Sequence, residues 1–122
     1  MVQQIARVGL IPVALLVGLQ AAWAEAVHLM ESHPAASAVI NGRSDGFFVR
    51  FDRPVDHEHA LITITRGGRV VETLHPRLDS SPDVLFARAP RLPRGNYALH
   101  WSVKQMVGTE VTEGDVPFMV TP

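Results

Sequence analysis

Six histidines and no cysteine define the chemistry open to this chain of 122 residues. Without thiols, thiolate metal sites, thiol catalysis and haem attachment through cysteine are excluded. Imidazole, carboxylate and thioether remain. His57 and His59 stand two apart in Asp56-His57-Glu58-His59. In an extended segment residues two apart point to one side, so the two rings could start a weak site for a soft or borderline divalent ion. The competing reading is a polar surface loop. Met30, Met106 and Met119 are too scattered for a thioether cluster and read as core fillers, with Met106 the one placed in a loop. His100 lies beside Trp101 in an alternating run and reads as a hydrogen-bonded strand residue. Ser44, Ser80, Ser81 and Ser102 lack a glycine-elbow context, and Gly67-Gly68 marks a hairpin rather than a phosphate loop. An enzyme is therefore not expected.

Two parts of the chain must be separated before these residues can be placed. Residues 8–19, VGLIPVALLVGL, form an apolar run preceded by Arg7 and followed by small residues up to Ala24. This is the pattern of a secretory signal over residues 1–24, too short to span a bilayer comfortably. A second small-residue site allows cleavage after Ala26 instead. The chain is expected to be exported, without stable membrane insertion once the signal is removed. Without Arg7, 10 basic residues face 12 acidic ones, a formal charge of −2. No basic run in the sequence argues for nucleic acid. A domain of about 98 residues without disulfides must be held by core burial alone.

From residue 27 to 122 the pattern is that of strands. Phe47, Val49 and Phe51 alternate with Phe48 and Arg50, and Leu61, Thr63 and Thr65 alternate with Ile62 and Ile64. Arg66-Gly67-Gly68-Arg69 is a two-glycine hairpin signal, with Val70–Leu74 as its return strand. Val84–Ala87 makes a short strand. Tyr97, Leu99, Trp101 and Val103 then bury one face of a long strand, and Val116, Phe118 and Val120 close the domain. About seven strands and no amphipathic helix predict an all-β, Ig-like or cupredoxin-like antiparallel sandwich of Greek-key type.

Leu92, Gly95, Tyr97 and Trp101, a polar loop, then Gly114, Phe118 and Val120 together resemble the C-terminal half of the CopC family of periplasmic copper-resistance proteins. Leu29, Ser32, Pro34 and Ala35 resemble the family's opening, and Phe51, Pro54 and Val55 the end of its second strand. The resemblance implies an exported CopC-type protein that sequesters copper or delivers it to a CopD-like inner-membrane transporter. It also implies Cu(II) ligands at three positions, which here hold Ala26, Gly108 and Glu110. The alternative is therefore a CopC-fold protein that has lost this site and serves as an interaction module without metal.

His28 is the strongest replacement ligand. Cleavage after Ala26 would let the Val27 amine, the His28 amide and the His28 ring chelate Cu(II), and Cu(II) suits such ligands better than Cu(I) does. Cleavage after Ala24 would abolish that chelate. The family fold implies that the amino end lies near the 104–113 loop, where Glu110 could add a carboxylate.

Overall fold

The computed structural model describes residues 26–43 and 45–122; the expected export signal lies outside them. Eight strands follow in order: β1 (Leu29–His33), β2 (Ala38–Ile40), β3 (Gly46–Phe51), β4 (Leu61–Arg66), β5 (Arg69–Leu74), β6 (Val84–Arg88), β7 (Gly95–Lys104) and β8 (Val111–Val120). They form a three-stranded sheet, β1-β3-β6, and a five-stranded sheet, β2-β8-β7-β4-β5. Among the described residues no helix is long and apolar enough to cross a membrane.

The period-two pattern explains both sheets. Phe47, Val49 and Phe51 of β3 and Leu85 and Ala87 of β6 turn inward from the small sheet. Ile62, Ile64, Leu99, Trp101, Val116 and Phe118 meet them from the large one. Across the interface Phe51 packs edge-on against Trp101 at 5.1 Å between ring centres, and Phe47 against Phe118 at 5.8 Å. Edge-to-face contacts of this kind suit the ring quadrupoles and bury a large apolar area without a disulfide.

Two elements go beyond the expectation. Strand β2 is three residues long and pairs in parallel with β8, the one parallel pairing in an otherwise antiparallel pair of sheets. Strand β7 continues past Trp101 to Lys104, and β8 starts as early as Val111, so the intervening loop is shorter than residues 104–113. The methionines also differ from their expected role: Met30, Met106 and Met119 are all exposed. Met119 occupies an outward position of β8 between buried Phe118 and Val120, whereas Met30 sits where the β1–β3 register shifts between Leu29 and Glu31.

The strand directions create two ends. Strands β3, β5 and β7 finish at one end, and β4, β6 and β8 begin there. The β3–β4 connection, with Asp52 and Asp56, caps that Asp52 end. The β4–β5 hairpin and the 88–95 segment lie at the opposite, hairpin end.

Candidate functional site

Asp52, the first residue after β3, organises the amino end. Val27 is buried in the core, which fixes His28 directly beside it. The His28 main-chain N–H donates to Asp52 Oδ1, and the His28 ring Nδ1 stands 3.0 Å from Asp52 Oδ2. The Asp52 main-chain N–H in turn donates to the His28 carbonyl oxygen at 3.0 Å. Arg53 donates to both oxygens of the same carboxylate at 3.1 Å. Hydrogen bonds from Arg53, then from the His28 main chain and ring, hold the Asp52 carboxyl well below the usual carboxylate range. The His28 ring itself remains open to solvent.

Asp56 does comparable work four residues on. It accepts from the main-chain N–H groups of Glu58 and His59, and its Oδ2 lies 2.7 Å from His59 Nδ1 and 3.1 Å from Lys104 Nζ. The His59 contact, together with Lys104 and the two amides, outweighs desolvation and depresses the Asp56 carboxyl as well. Its own N–H donates to the Lys104 carbonyl at 2.9 Å, and Val55 forms a bridge with Gln105. The amino end and the β7–β8 loop are thereby tied to one short connection. Asp52 and Val55 are three residues apart, at most about 10 Å along an extended chain.

The residues singled out in the sequence separate under this geometry. His28 pairs with Asp52, not with Glu110. Glu110 is exposed and makes no ion pair or side-chain hydrogen bond among the described residues. His57 and His59 do not share a side, because they sit in a loop rather than a strand. His57 turns inward: Nδ1 lies 3.0 Å from the Val55 carbonyl oxygen and Nε2 2.7 Å from that of Val84. Both ring nitrogens face acceptors already in place, whereas His59 projects outward over Asp56. Met106 and His57 border an open cleft of about 670 Å³ with Pro54 and Leu78. No group of three or more His, Asp or Glu side chains is gathered as a metal site among the described residues.

Sequence reasoning missed two partners. Asp52 lies 24 residues from His28, and only the β1–β3 pairing brings them together. His100, on the outer face of the large sheet, lies between Asp115 Oδ1 at 2.9 Å and Glu113 Oε1 at 3.2 Å. The alternation of β8 signals that Glu113 and Asp115 share a face, but their register against β7 is not visible in the sequence.

A family model for the CopC domain matches residues 29–121. The chain belongs to the CopC domain family. Its fold is similar to that of CopC from Methylosinus trichosporium OB3b, with 26% identity, a TM-score of 0.68 and coverage of 80% of this chain and 95% of that one. It is also similar to PcoC, a methionine-rich copper resistance protein from Escherichia coli, at 16% identity and a TM-score of 0.60, covering 80% of this chain and all of the other. The latter likeness concerns the fold alone. Among curated proteins none matches the chain. Measured against the CopC ligand positions named by resemblance, Gly108 has φ +109° and open space where a side chain would stand, and Ala26 offers no donor group. The CopC scaffold is present, and at its Asp52 end imidazole meets carboxylate twice, in His28 with Asp52 and in His59 with Asp56.

Proposed function

We propose that this CopC-domain protein is an exported, non-catalytic copper handler that binds Cu(II) as cargo at its Asp52 end. It would hold the ion or pass it to an inner-membrane transporter of the CopD kind. One observation carries the reading: the main-chain nitrogen and ring Nδ1 of His28 both face the Asp52 carboxylate at 3.0 Å. These are the two His28 atoms that an amino-terminal Xaa-His chelate uses. Cleavage after Ala26 would supply the third nitrogen from Val27, and Asp52, kept ionised by Arg53, stands ready as an oxygen ligand. Imidazole, amine and carboxylate are a Cu(II) set, while the exposed methionines are not gathered into the thioether cluster that Cu(I) favours. His57, His59 and Glu110 would add at most weak auxiliary contacts.

Titration of the mature protein with Cu(II) and Cu(I), its amino terminus read by mass spectrometry, tests this. Submicromolar Cu(II) binding that is lost in His28→Ala and weakened about tenfold or more in Asp52→Asn supports the site. A His57→Ala/His59→Ala variant should bind as the parent does. The absence of ligand side chains at Ala26 and Gly108 favours a second reading, a CopC-fold interaction module without copper. Failure to bind either ion below roughly 100 μM would remove the copper reading and leave that alternative standing.

A further inference from the structure

The ten Lys and Arg side chains of the described region divide into two sets. Arg50, Arg53, Arg77 and Lys104 each pair with a carboxylate, namely Glu31, Asp52, Asp79 and Asp56. Arg43, Arg66, Arg69, Arg88, Arg91 and Arg94 make no ion pair among the described residues, and all six are exposed. These six gather at one place. They come from the segment before β3, the β4–β5 hairpin, the end of β6 and the turn into β7, all at the hairpin end. Of the side-chain carboxylates, Asp45 and Glu72 belong to these segments and neither is paired with an arginine, while Pro122 borders the same cleft as Arg43, Arg91 and Arg94.

Part of this end is held rigidly. Tyr97 donates to the Pro93 carbonyl at 2.6 Å, and the Arg66 guanidinium lies over the Tyr97 ring, 5.3 Å from its centre. Such a cation–π contact orients the charge without neutralising it. Arg43, Arg91 and Arg94 border an open polar cleft of about 520 Å³ with Asn41 and Thr121. The opposite end carries Asp52, Asp56, Glu58, Asp83 and Glu110 with Arg53 and Lys104 paired among them, so unpaired positive charge gathers at the hairpin end although the net charge is slightly negative.

We propose that the hairpin end is a docking face for an anionic phospholipid surface. Arg43, Arg91 and Arg94 border one cleft, while Arg66, Arg69 and Arg88 come from the β4–β5 hairpin and the end of β6, so the six reach beyond one phosphate-sized site and match a plane carrying many phosphates. A single-stranded nucleic acid would also call for exposed aromatic rings between the charges, but Tyr97 at this end is buried. Docked this way, the protein lies with its strands upright and its Asp52 end facing away from the membrane. The inference does not depend on copper binding.

Flotation of the mature protein with vesicles of phosphatidylcholine alone, and of phosphatidylcholine with phosphatidylglycerol, tests it. The protein should float only with the anionic vesicles and should be released as ionic strength rises from about 0.01 to 0.15 M, where the Debye length shrinks from about 30 to 8 Å. Arg91→Gln/Arg94→Gln should weaken binding about fivefold per arginine. Arg50→Gln/Arg77→Gln removes the same charge from paired positions and should leave binding within about twofold of the parent. All four positions are at the surface, and circular dichroism verifies that each variant is folded. Equal losses in the two variants, or no flotation with anionic vesicles, would overturn the proposal. So would tight binding of inorganic phosphate or of a DNA oligonucleotide by a protein that ignores vesicles.

Discussion

Asp52 grips His28 at two points, the main-chain N–H and the ring Nδ1, both at 3.0 Å. The grip aligns the chain as it enters β1, because the return bond from the Asp52 N–H to the His28 carbonyl extends the β1–β3 pairing by one step. A ligand taking up His28 nitrogens would exchange one partner for another at a place whose carboxylate is already ionised and held by Arg53. Asp52 positions the amino end, and in the proposed copper site the same side chain would supply the oxygen donor.

This pairing should show in acid. The folded-state pKa of Asp52 is depressed, so its stabilising contribution is complete above the unfolded carboxylate value, about 3.9, and is lost progressively as pH falls from there through the lower folded value. Melting temperatures of the parent and Asp52→Asn should therefore differ at pH 6 to 7, roughly neutral, and converge on acidification. Circular dichroism melts across that range would show it. A difference that persists unchanged in acid would mean that the carboxylate charge is not what anchors His28.

Asp56 links two loops, so its removal should loosen both. Asp56→Ala deletes the acceptor for the Glu58 and His59 amides and for Lys104 Nζ. Amide exchange should accelerate several-fold at residues 57–60 and 105–110 while β7 and β8 stay protected, because local opening follows local contacts. Hydrogen exchange read by mass spectrometry distinguishes this from a global loss of stability, in which protection falls everywhere.

Gly114 faces Trp101 directly across β7 and β8. A Cβ on Gly114 would fall 2.4 Å from Trp101 Cζ2 and 2.7 Å from Cε2, and the indole is nearly buried. Gly114→Ala must push the ring out of its seat against Phe51. Overpacking of this kind costs about 1–3 kcal/mol. A melting temperature lower by about 4–8 °C per kcal/mol is expected for a domain of this size. Trp101 is the lone tryptophan of residues 27–122, so the fluorescence of that segment should shift in the same variant.

These contacts also explain what could be read from the chain and what could not. The spacing of Gly95, Tyr97, Trp101 and Gly114 was legible because each residue answers a local demand. Gly95 takes φ +155° beneath Arg66, Tyr97 ties back to Pro93 four residues earlier, and Gly114 leaves room for an indole. Strand alternation was legible for the same reason, since one face of each sheet is buried. Strand β2 was not, because three residues are too few to show a period and its parallel pairing to β8 crosses 80 residues. The His28–Asp52 pair and the cluster of six arginines are products of register: nothing in the spacing of positions 43, 66, 69, 88, 91 and 94 brings them to one end until the hairpins close. His57 looked like a surface ligand by composition, yet its ring turns inward, with its two nitrogens near the carbonyls of Val55 and Val84.

His100 offers the opposite pH signature to Asp52. Partial burial disfavours its charge, but hydrogen bonds to Asp115 and Glu113, and their negative charges, outweigh this and raise its pKa above the ordinary 6.5. A raised folded-state value means stabilisation that is complete below the unfolded pKa and lost as pH climbs through the folded one. Glu113→Gln/Asp115→Asn keeps the side-chain shapes and removes both charges. The variant should melt below the parent between roughly pH 5 and 6, where the imidazole is charged, and should approach it near pH 9. Titration of the His100 ring by NMR provides the second readout, with its midpoint moving down in the variant. A midpoint indifferent to the double substitution would show that these carboxylates do not hold the proton on this ring.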